Sequence, residues 1–473
     1  MVLIIKVSKK QLKSVCKAIR KLRKVESFSS LPLPLGMLQS LEKLGYKSMT
    51  PIQKDTLPFI LQGADLLAKA KTGSGKTAAF GIGVVAKLDV KKFRVQSLVL
   101  CPTRELALQV AGELRAIAKF QHNVKILTLI GGESFGKQLG SLAHHAHIIV
   151  GTPGRVLKHL NKESLQLDAL TSLVLDEADR MLDMGFIEEI EAIRSHLKTK
   201  PQTLFFSATY DDEVLQISKA FQENPIEVFA EEQQTTNERE ELFIASQNKR
   251  ETLVRVLKHY QSTNVIVFVN TKIESDELAF YLREHEIDAL SLHGDLEQYD
   301  RMDTLVQFAN GSCRVMVATD VASRGIDIKE LAMVVNFDMP NTKEIYTHRI
   351  GRTARAGAKG LAVSLYSRIE EVEHYENKQE IDQEELCDHG NITMRSAYTT
   401  LVIEGGKKDK LRAGDILGAL TADKTLQGDD IGKIDIYDRQ AYVAIKTNLI
   451  NKAHTKLNND TIKAKKFSVW ILE

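Results

Sequence analysis

The sequence predicts an α/β protein with two tandem lobes, each a parallel sheet covered by helices, followed by a small α+β domain. Three observations predict it. Between residues 28 and 230, the short apolar runs "SLVLCPT", "HIIVGTP", "LVLDE" and "TLFFSAT" alternate with amphipathic stretches, and each run ends in polar residues. Such short, apolar runs are buried on both faces, as in a parallel sheet. A second series, "VIVFVNT", "ALSLHGD", "VMVATD" and "MVVNFD", repeats the pattern and closes near residue 368. From about residue 397, the strand candidates "TTLVIEGG", "IGKIDIYD", "AYVAIKT" and "FSVWILE" are interleaved with the helix candidates "RAGDILGAL" and "NLINKAHTKLN", in the order βαββαβ.

The stretches between these series set the boundaries. Residues 1–24 form a basic N-terminal arm of open status: an RNA-touching amphipathic helix, an unstructured arm, or a segment upstream of the true start. The first lobe covers 25–230, a polar, unpatterned linker 231–241, and the second lobe 242–370. An acidic, apolar-poor connector, helical or extended, spans 371–396, and the last domain occupies 397–473.

Composition excludes several classes. In 473 residues the net charge is only +2, so any nucleic-acid surface must be local. The four cysteines lie far apart and form no CxxC, which argues against a zinc site or disulfide framework and suits a reducing cytoplasm. No stretch approaches the ~18 apolar residues of a membrane span, so no membrane partner is expected.

The chemistry concentrates where strands end, which is where open parallel sheets bind ligands. "AKTGSGKT" (70–77) sits between a strand candidate and a helix candidate, as a P-loop must. Gly73 and Gly75 let backbone N–H groups turn toward phosphate oxygens, Lys76 adds a point charge, and Thr77 offers a hydroxyl to Mg²⁺. Ala70 stands where a first glycine is usual, and Lys71, Thr72 and Ser74 complete the ATP-binding stretch. About a hundred residues on, "LVLDEADRML" crowds Asp176, Glu177 and Asp179 at another strand end. A nucleotide–Mg²⁺ complex makes that crowding useful. Asp176 suits the metal, Glu177 the attacking water, and Asp179 a bond to a neighbouring motif. Ser207 and Thr209 of "SAT" are candidates for that bond. In "HRIGRTARAG" (348–357), Arg352 and Arg355 share a helical face and suit the transferred phosphoryl oxygens.

Taken in order, Phe28, "GYKSMTPIQ", "AKTGSGKT", "PTRELA", "GG" (131–132), "TPGR", "DEAD", "SAT", "QYDR", "ATDVASRGIDI" and "HRIGRTARAG" resemble the motif series of the DEAD-box RNA helicases over residues 25–370. The resemblance implies two RecA-like lobes and RNA-stimulated hydrolysis of ATP with Mg²⁺. It implies that Phe28 stacks on adenine, and that Gln53, with the backbone near Tyr46, reads its edge. Asp327 would meet the ribose or γ-phosphate side, and His348 would join Asp179, Ser207 and Thr209 in coupling. It implies RNA-backbone contacts at Arg104, Gly132, Thr152, Arg155, Thr271, Arg301 and Thr319. Such contacts carry no base sequence.

The tail, "EGGKKDKLRAGDILGAL" with "DDIGKIDIYDRQAYVAIK", resembles the RNA-binding domain of the DbpA group of these helicases, an RRM-like fold. That group is directed to large-subunit ribosomal RNA, which implies a role in ribosome assembly. An RRM stacks bases on sheet aromatics. Here Tyr442 fills one such place, while Val402, Gln440 and Ile445 fill others, so the platform is thin. Lys407, Lys408, Lys410 and Arg412, with Lys463, Lys465 and Lys466, offer basic edges suited to structured RNA. Two rival classes are a DNA helicase of the same architecture and a binding protein with a decayed ATPase. The first is opposed by Phe28, "GYKSMTPIQ" and DEAD, the second by the presence of Lys76, Asp176, Glu177 and Arg352.

Overall fold

The computed structural model describes residues 5–6, 27–70, 73–210, 212–229, 239–320, 331–353, 360–372, 375, 379–387, 392–423 and 425–472. The basic arm (all but Ile5–Lys6), most of the linker, and Lys71, Thr72, Asp327 and Arg355 lie outside the described residues. The chain divides into two compact units, one holding the first lobe and the other holding the second lobe with the C-terminal domain.

In the first unit the strands are β1 (Ile5–Lys6), β2 (Leu66–Lys69), β3 (Ser97–Leu100), β4 (Ile126–Leu129), β5 (Ile148–Gly151), β6 (Ser172–Asp176), β7 (Gln202–Ser207) and β8 (Ile226–Phe229). They form one sheet in the order β1-β8-β2-β7-β6-β3-β5-β4, parallel except where β1 pairs antiparallel with β8. Period-2 alternation sends Val99, Val150 and Val174 into one apolar core and Leu98, Ile149 and Leu173 into the other. Because both faces are covered, the runs read as continuously apolar in the sequence.

This strand order sorts the motifs. The P-loop follows β2, SAT closes β7 and the acidic cluster closes β6, and these three strands are neighbours. "PTR", "TPGR" and "GG" follow β3, β5 and β4, the other side of the same sheet. One rim thus has a nucleotide-type half and a half carrying the expected RNA contacts.

The second unit contains β9 (Arg239–Ala245), β10 (Val265–Val269), β11 (Ala289–Leu292), β12 (Val315–Thr319), β13 (Met333–Asn336), β14 (Gly360–Tyr366) and β15 (Gln379–Glu380), ordered β11-β12-β10-β13-β14-β9-β15 and parallel throughout. The acidic connector packs on the second lobe. β15 pairs with β9, Leu386 and Met394 enter the apolar core of the lobe, and Ser396 N–H donates to Asp288 at 2.6 Å.

The last domain has β16 (Tyr398–Ile403), β17 (Ile431–Ile436), β18 (Ala441–Lys446) and β19 (Val469–Ile471), in the antiparallel order β17-β18-β16-β19, with helices Ala413–Thr421 and Ile450–Asn459 between strands. One face packs on these helices. The other, carrying Val402 and Tyr442, packs on Val306 of the second-lobe helix Gln298–Ala309. The Tyr442 hydroxyl donates to Asp303 Oδ1 at 2.8 Å, and Asn310 Nδ2 donates to Thr400 Oγ1 at 2.9 Å. Among the described residues no helix is long and apolar enough to cross a membrane.

Tyr442→Phe should keep the packing and leave the Asp303 carboxylate one donor short. The expected loss is about 1 kcal/mol of unfolding free energy for the second unit, read from the urea midpoint; an unchanged midpoint would show that the bond contributes nothing to the docking.

Candidate nucleotide and nucleic-acid site

The cradle starts with two glycines in left-handed conformations, Gly73 at φ 83° and Gly75 at φ 93°, ahead of the helix Lys76–Ala86. At Gly75 a side chain is excluded twice over, since a Cβ would lie 2.6 Å from Gln53 Nε2 and 3.0 Å from Thr50 Oγ1. Gln53 is buried and braces the loop: its Oε1 accepts from Thr50 N–H at 3.0 Å and its Nε2 donates to the Gly75 carbonyl at 3.2 Å. Ala70, also buried, ties the loop to β7 through Ala70 N–H to the Ser207 carbonyl at 2.9 Å. Thr77 lies half-buried in the first helical turn.

Inside this cradle the polar atoms are unusual. Lys76 is 6% exposed and Asp176 2%, yet Lys76 Nζ and Asp176 Oδ1 have no hydrogen-bond partner among the described residues, and neither does Ser74 Oγ. Buried charges are normally paired. An ammonium, a hydroxyl and a carboxylate oxygen without hydrogen-bond partners among the described residues, beside a glycine loop, fit a phosphate–Mg²⁺ complex, with Thr77 and Asp176 as the metal-side donors. Burial pushes the Asp176 carboxyl up to about 7, opposed by Lys76 and reinforced by Glu177.

Two of the three crowded acids, Glu177 and Asp179, have side-chain or backbone partners of their own. Glu177 sits at φ 54°, a left-handed position that non-glycine residues rarely adopt, at the start of the helix Ala178–Asp183. Its carboxylate accepts from Arg180 Nη1 at 2.7 Å, with both side chains buried. Asp179 Oδ2 accepts from Ala208 N–H at 3.0 Å, Thr209 N–H at 3.1 Å and Thr209 Oγ1 at 3.4 Å, while Asp179 N–H reaches Ser207 Oγ at 3.4 Å. Sequence reasoning missed Arg180; its place at i+3 from Glu177 was the available signal.

Phe28 is buried in the first core, edge-on to Tyr46 with ring centroids 6.3 Å apart. The Tyr46 hydroxyl donates to Glu113 at 2.9 Å, and burial holds its pKa well above the usual phenol range.

On the other half of the rim, Arg104 packs over the "GG" turn, where a Cβ on Gly131 would come 2.9 Å from its Nη2 and where Gly132 has φ 77°. Burial and nearby Arg104 both lower the pKa of Arg155, which places two guanidinium groups within one field. Arg155 Nη1 donates to the Glu133 carbonyl at 3.1 Å and to Gln138 Oε1 at 3.0 Å. Gln138 Oε1 also meets His159 Nε2 at 3.1 Å, and His159 Nδ1 meets Ser164 Oγ at 2.9 Å. Phe135 stacks on His159 with centroids 4.2 Å apart, and Lys158 and Lys162 lie 5.6 and 5.9 Å from its ring centre. Thr152 starts the helix Pro153–Asn161 at the same rim. Clustered cations at strand ends suit a phosphate backbone.

In the second unit, Thr271 caps the helix Lys272–Glu284 through its Oγ1, which accepts from Glu274 N–H at 3.2 Å. Thr319 ends the adjacent β12, and Arg301 Nη1 donates to the His293 carbonyl at 3.2 Å. His348 lies half-buried on the helix Lys343–Ile350, and Arg352 follows it, buried.

The C-terminal domain corrects one expectation. Tyr442, expected as part of a thin stacking platform, is 1% exposed and spent on the second lobe, so its ring is closed to bases. Lys407, Lys408, Lys410 and Arg412 are exposed. Their loop is clamped to the β17–β18 turn, with Lys407 N–H on the Tyr437 carbonyl at 2.8 Å and Lys408 N–H on the Asp438 carbonyl at 2.9 Å. Gly406 allows the clamp, because a Cβ there would lie 2.3 Å from the Tyr437 carbonyl oxygen. Arg439 in the facing turn is also exposed and joins this basic edge, whereas Lys463 Nζ is bound to Asp415 at 2.9 Å and to the Lys410 carbonyl at 3.0 Å.

Comparison with known proteins agrees with this geometry. Residues 50–217 match the DEAD/DEAH box helicase family, 248–357 the helicase conserved C-terminal domain and 400–471 the DbpA RNA binding domain. The chain is 48% identical over 456 residues to the ATP-dependent RNA helicase DbpA of Escherichia coli (strain K12), covering 94% of this chain and 100% of that protein. It is 37% identical over 472 residues to the protein of the same name from Bacillus subtilis (strain 168), covering 93% and 98%. Among solved structures, S. cerevisiae Dbp5 bound to RNA and ADP BeF3 superposes with a TM-score of 0.67 at 29% identity, covering 76% of this chain and 96% of that one.

Burial, with Arg155 and Lys158 nearby, pushes the His159 imidazole down to about 4 from its ordinary 6.5. The unfolded chain therefore takes up a proton that the folded chain refuses. The stability from His159 is complete above about pH 6.5 and is lost as pH falls toward about 4. His159→Gln should flatten thermal midpoint against pH across that window; an identical slope would remove His159 as its source.

Proposed function

The chain belongs to the DEAD-box ATP-dependent RNA helicases, and from that premise we propose that it opens short duplexes in large-subunit ribosomal RNA during ribosome assembly in the cytoplasm, with the C-terminal domain choosing the RNA. The observation that carries the nucleotide half is the set of buried atoms Lys76 Nζ, Ser74 Oγ and Asp176 Oδ1 around the glycine turn, which have no hydrogen-bond partner among the described residues. When bound, Mg²⁺ neutralises charge on the β- and γ-phosphate oxygens. Lys76 and the backbone N–H groups of the Gly73–Thr77 turn would hold the phosphates, and Thr77 and Asp176 would hold the metal. Glu177 orients the attacking water and takes its proton, with Arg180 fixing the carboxylate. Asp179 clips the acidic strand end to SAT, so a displacement at Glu177 is transmitted to Ser207 and Thr209. Arg352 and Arg355 serve the transferred phosphoryl oxygens when ATP and RNA are both engaged, and His348 lies in the same segment. Phe28, Tyr46 and Gln53 shape the base side of the site, with Asp327 serving the ribose or γ-phosphate side.

Arg104, Gly132, Thr152 and Arg155 in one lobe, and Thr271, Arg301 and Thr319 in the other, grip the sugar-phosphate backbone without reading bases. RNA and nucleotide each favour the arrangement the other needs, which makes their binding mutually supportive.

The rRNA reading draws on what the tail's resemblance to the DbpA RNA binding domain implies, and the covered Tyr442 face bears on which surface would meet that RNA. With that face covered, the exposed edge of Lys407, Lys408, Lys410 and Arg412, with exposed Lys465 and Lys466 as a second basic cluster, is offered to structured RNA. A tethered module of this kind raises the effective concentration of the catalytic lobes at its target.

The test is ATPase stimulation of the full chain by a large-subunit rRNA fragment and by an unrelated duplex. The double variant Lys407→Glu/Lys408→Glu should lose the preference for rRNA by about tenfold or more while stimulation by the unrelated duplex persists. An unchanged preference would contradict the assignment of specificity to this edge.

A further inference from the structure

Arg349 lies on the helix Lys343–Ile350, one turn before Arg352, and is 2% exposed. A cation buried this deeply is tolerated only when its donors are satisfied. Here all five N–H donors are used. Nε and Nη2 donate to Oδ1 and Oδ2 of Asp320, each at 2.7 Å, and Nη2 also donates to Asn270 Oδ1 at 3.1 Å. Nη1 donates to the Asp338 carbonyl at 2.7 Å and to Asn336 Oδ1 at 3.3 Å. The guanidinium carbon stands 5.0 Å from the centre of the Phe268 ring, which supports its plane from one side.

The identity of these acceptors is informative. Asn270 directly precedes Thr271, and Asp320 directly follows Thr319. These threonines end the paired strands β10 and β12 and carry two of the proposed RNA contacts. Arg352 N–H donates to the Arg349 carbonyl at 3.2 Å, so the arginine meant for the phosphoryl oxygens hangs from the same residue. One rigid, planar group therefore joins both RNA-side strand ends to the nucleotide-side segment.

We infer that Arg349 is a positioning residue that couples RNA engagement at Thr271 and Thr319 to the placement of Arg352. A bidentate Arg–carboxylate pair resists shear and rotation, so a shift of the β12 end moves the helix bearing Arg349 as one body. Apolar packing could hold the same segments together but would fix no orientation. A buried ion pair adds little net stability over such packing. Its contribution here is geometric. The inference rests on the helicase reading and extends it to a residue acting through Arg352 rather than on substrate.

Fluorescence anisotropy of labelled RNA on the full chain, with and without Mg²⁺ and the non-hydrolysable analogue AMP-PNP, reads the coupling directly. In the wild type the nucleotide should tighten RNA binding on the order of tenfold. Arg349→Lys keeps the charge and loses the bidentate fork. It should bring that factor to within about twofold of unity, with nucleotide-free RNA affinity within about twofold of wild type. Asn270→Ala removes one acceptor at an exposed position and leaves the Asp320 pair, so it should fold and lose part of the coupling; it decides the matter if Arg349→Lys does not fold. Coupling equal to wild type in the folded variants would overturn the inference. So would a fall in nucleotide-free RNA affinity matching the fall in coupling, since that marks a plain structural brace. A wild-type chain without coupling would overturn the helicase reading and this inference with it.

Discussion

The nucleotide half of the rim depends on two opposite charges held out of water without hydrogen-bond partners among the described residues, Lys76 Nζ and Asp176 Oδ1. Each is costly to bury, and the fold tolerates them because the glycine turn, Gln53 and the strand ends fix them in place before any ligand arrives. The cost is offset when phosphate and metal supply the missing partners. Preorganisation of this kind lets binding energy go into chemistry, because no side chain has to be gathered at the moment of reaction. Gly73 and Gly75 take left-handed conformations that glycine adopts freely, whereas Glu177 at φ 54° sets local backbone preference aside.

The same rim distributes the remaining work by strand order. The strands β2, β7 and β6 carry the proposed nucleotide residues, and β3, β5 and β4 the proposed RNA-backbone contacts, so a single sheet bears both sets along one edge. Short hydrogen-bonded clips run between adjacent strand ends. Asp179 ties β6 to β7, and Arg349 ties β10, β12 and β13 to the segment of Arg352. Such clips are stiff over short distances and lie where small displacements matter. The Phe135–His159–Gln138–Arg155 chain does the same for a cation on the other half of the rim.

Much of this was legible in the sequence. The runs "SLVLCPT", "HIIVGTP", "LVLDE" and "TLFFSAT" became β3, β5, β6 and β7 because doubly buried strands leave a continuous apolar signal. The glycines of the P-loop and the acids of "LVLDEADRML" announced themselves by chemistry that has few other uses. The partners of those acids did not. Arg180 and Arg349 look like surface charges in a linear reading, and only burial shows them as counterions. The covering of Tyr442 was also illegible, because it depends on which face of the last sheet meets the helix Gln298–Ala309, a contact between residues far apart in the chain. The packing of the connector on the second lobe was illegible for a related reason. Its acidic composition hides two isolated apolar anchors, Leu386 and Met394, that give no periodic pattern.

The central claim is tested most directly by thermal unfolding of the full chain, wild type and Lys76→Met, with and without saturating Mg²⁺ and AMP-PNP. Without nucleotide, Lys76→Met should be at least as stable as the wild type, because it removes a buried ammonium that has no hydrogen-bond partner among the described residues and leaves Asp176, whose carboxyl burial already pushes up to about 7, able to stay protonated. With nucleotide, the wild-type midpoint should rise while that of Lys76→Met stays within error of its own baseline. A Lys76→Met chain that is clearly less stable on its own, or that rises with nucleotide as far as the wild type, would contradict the account.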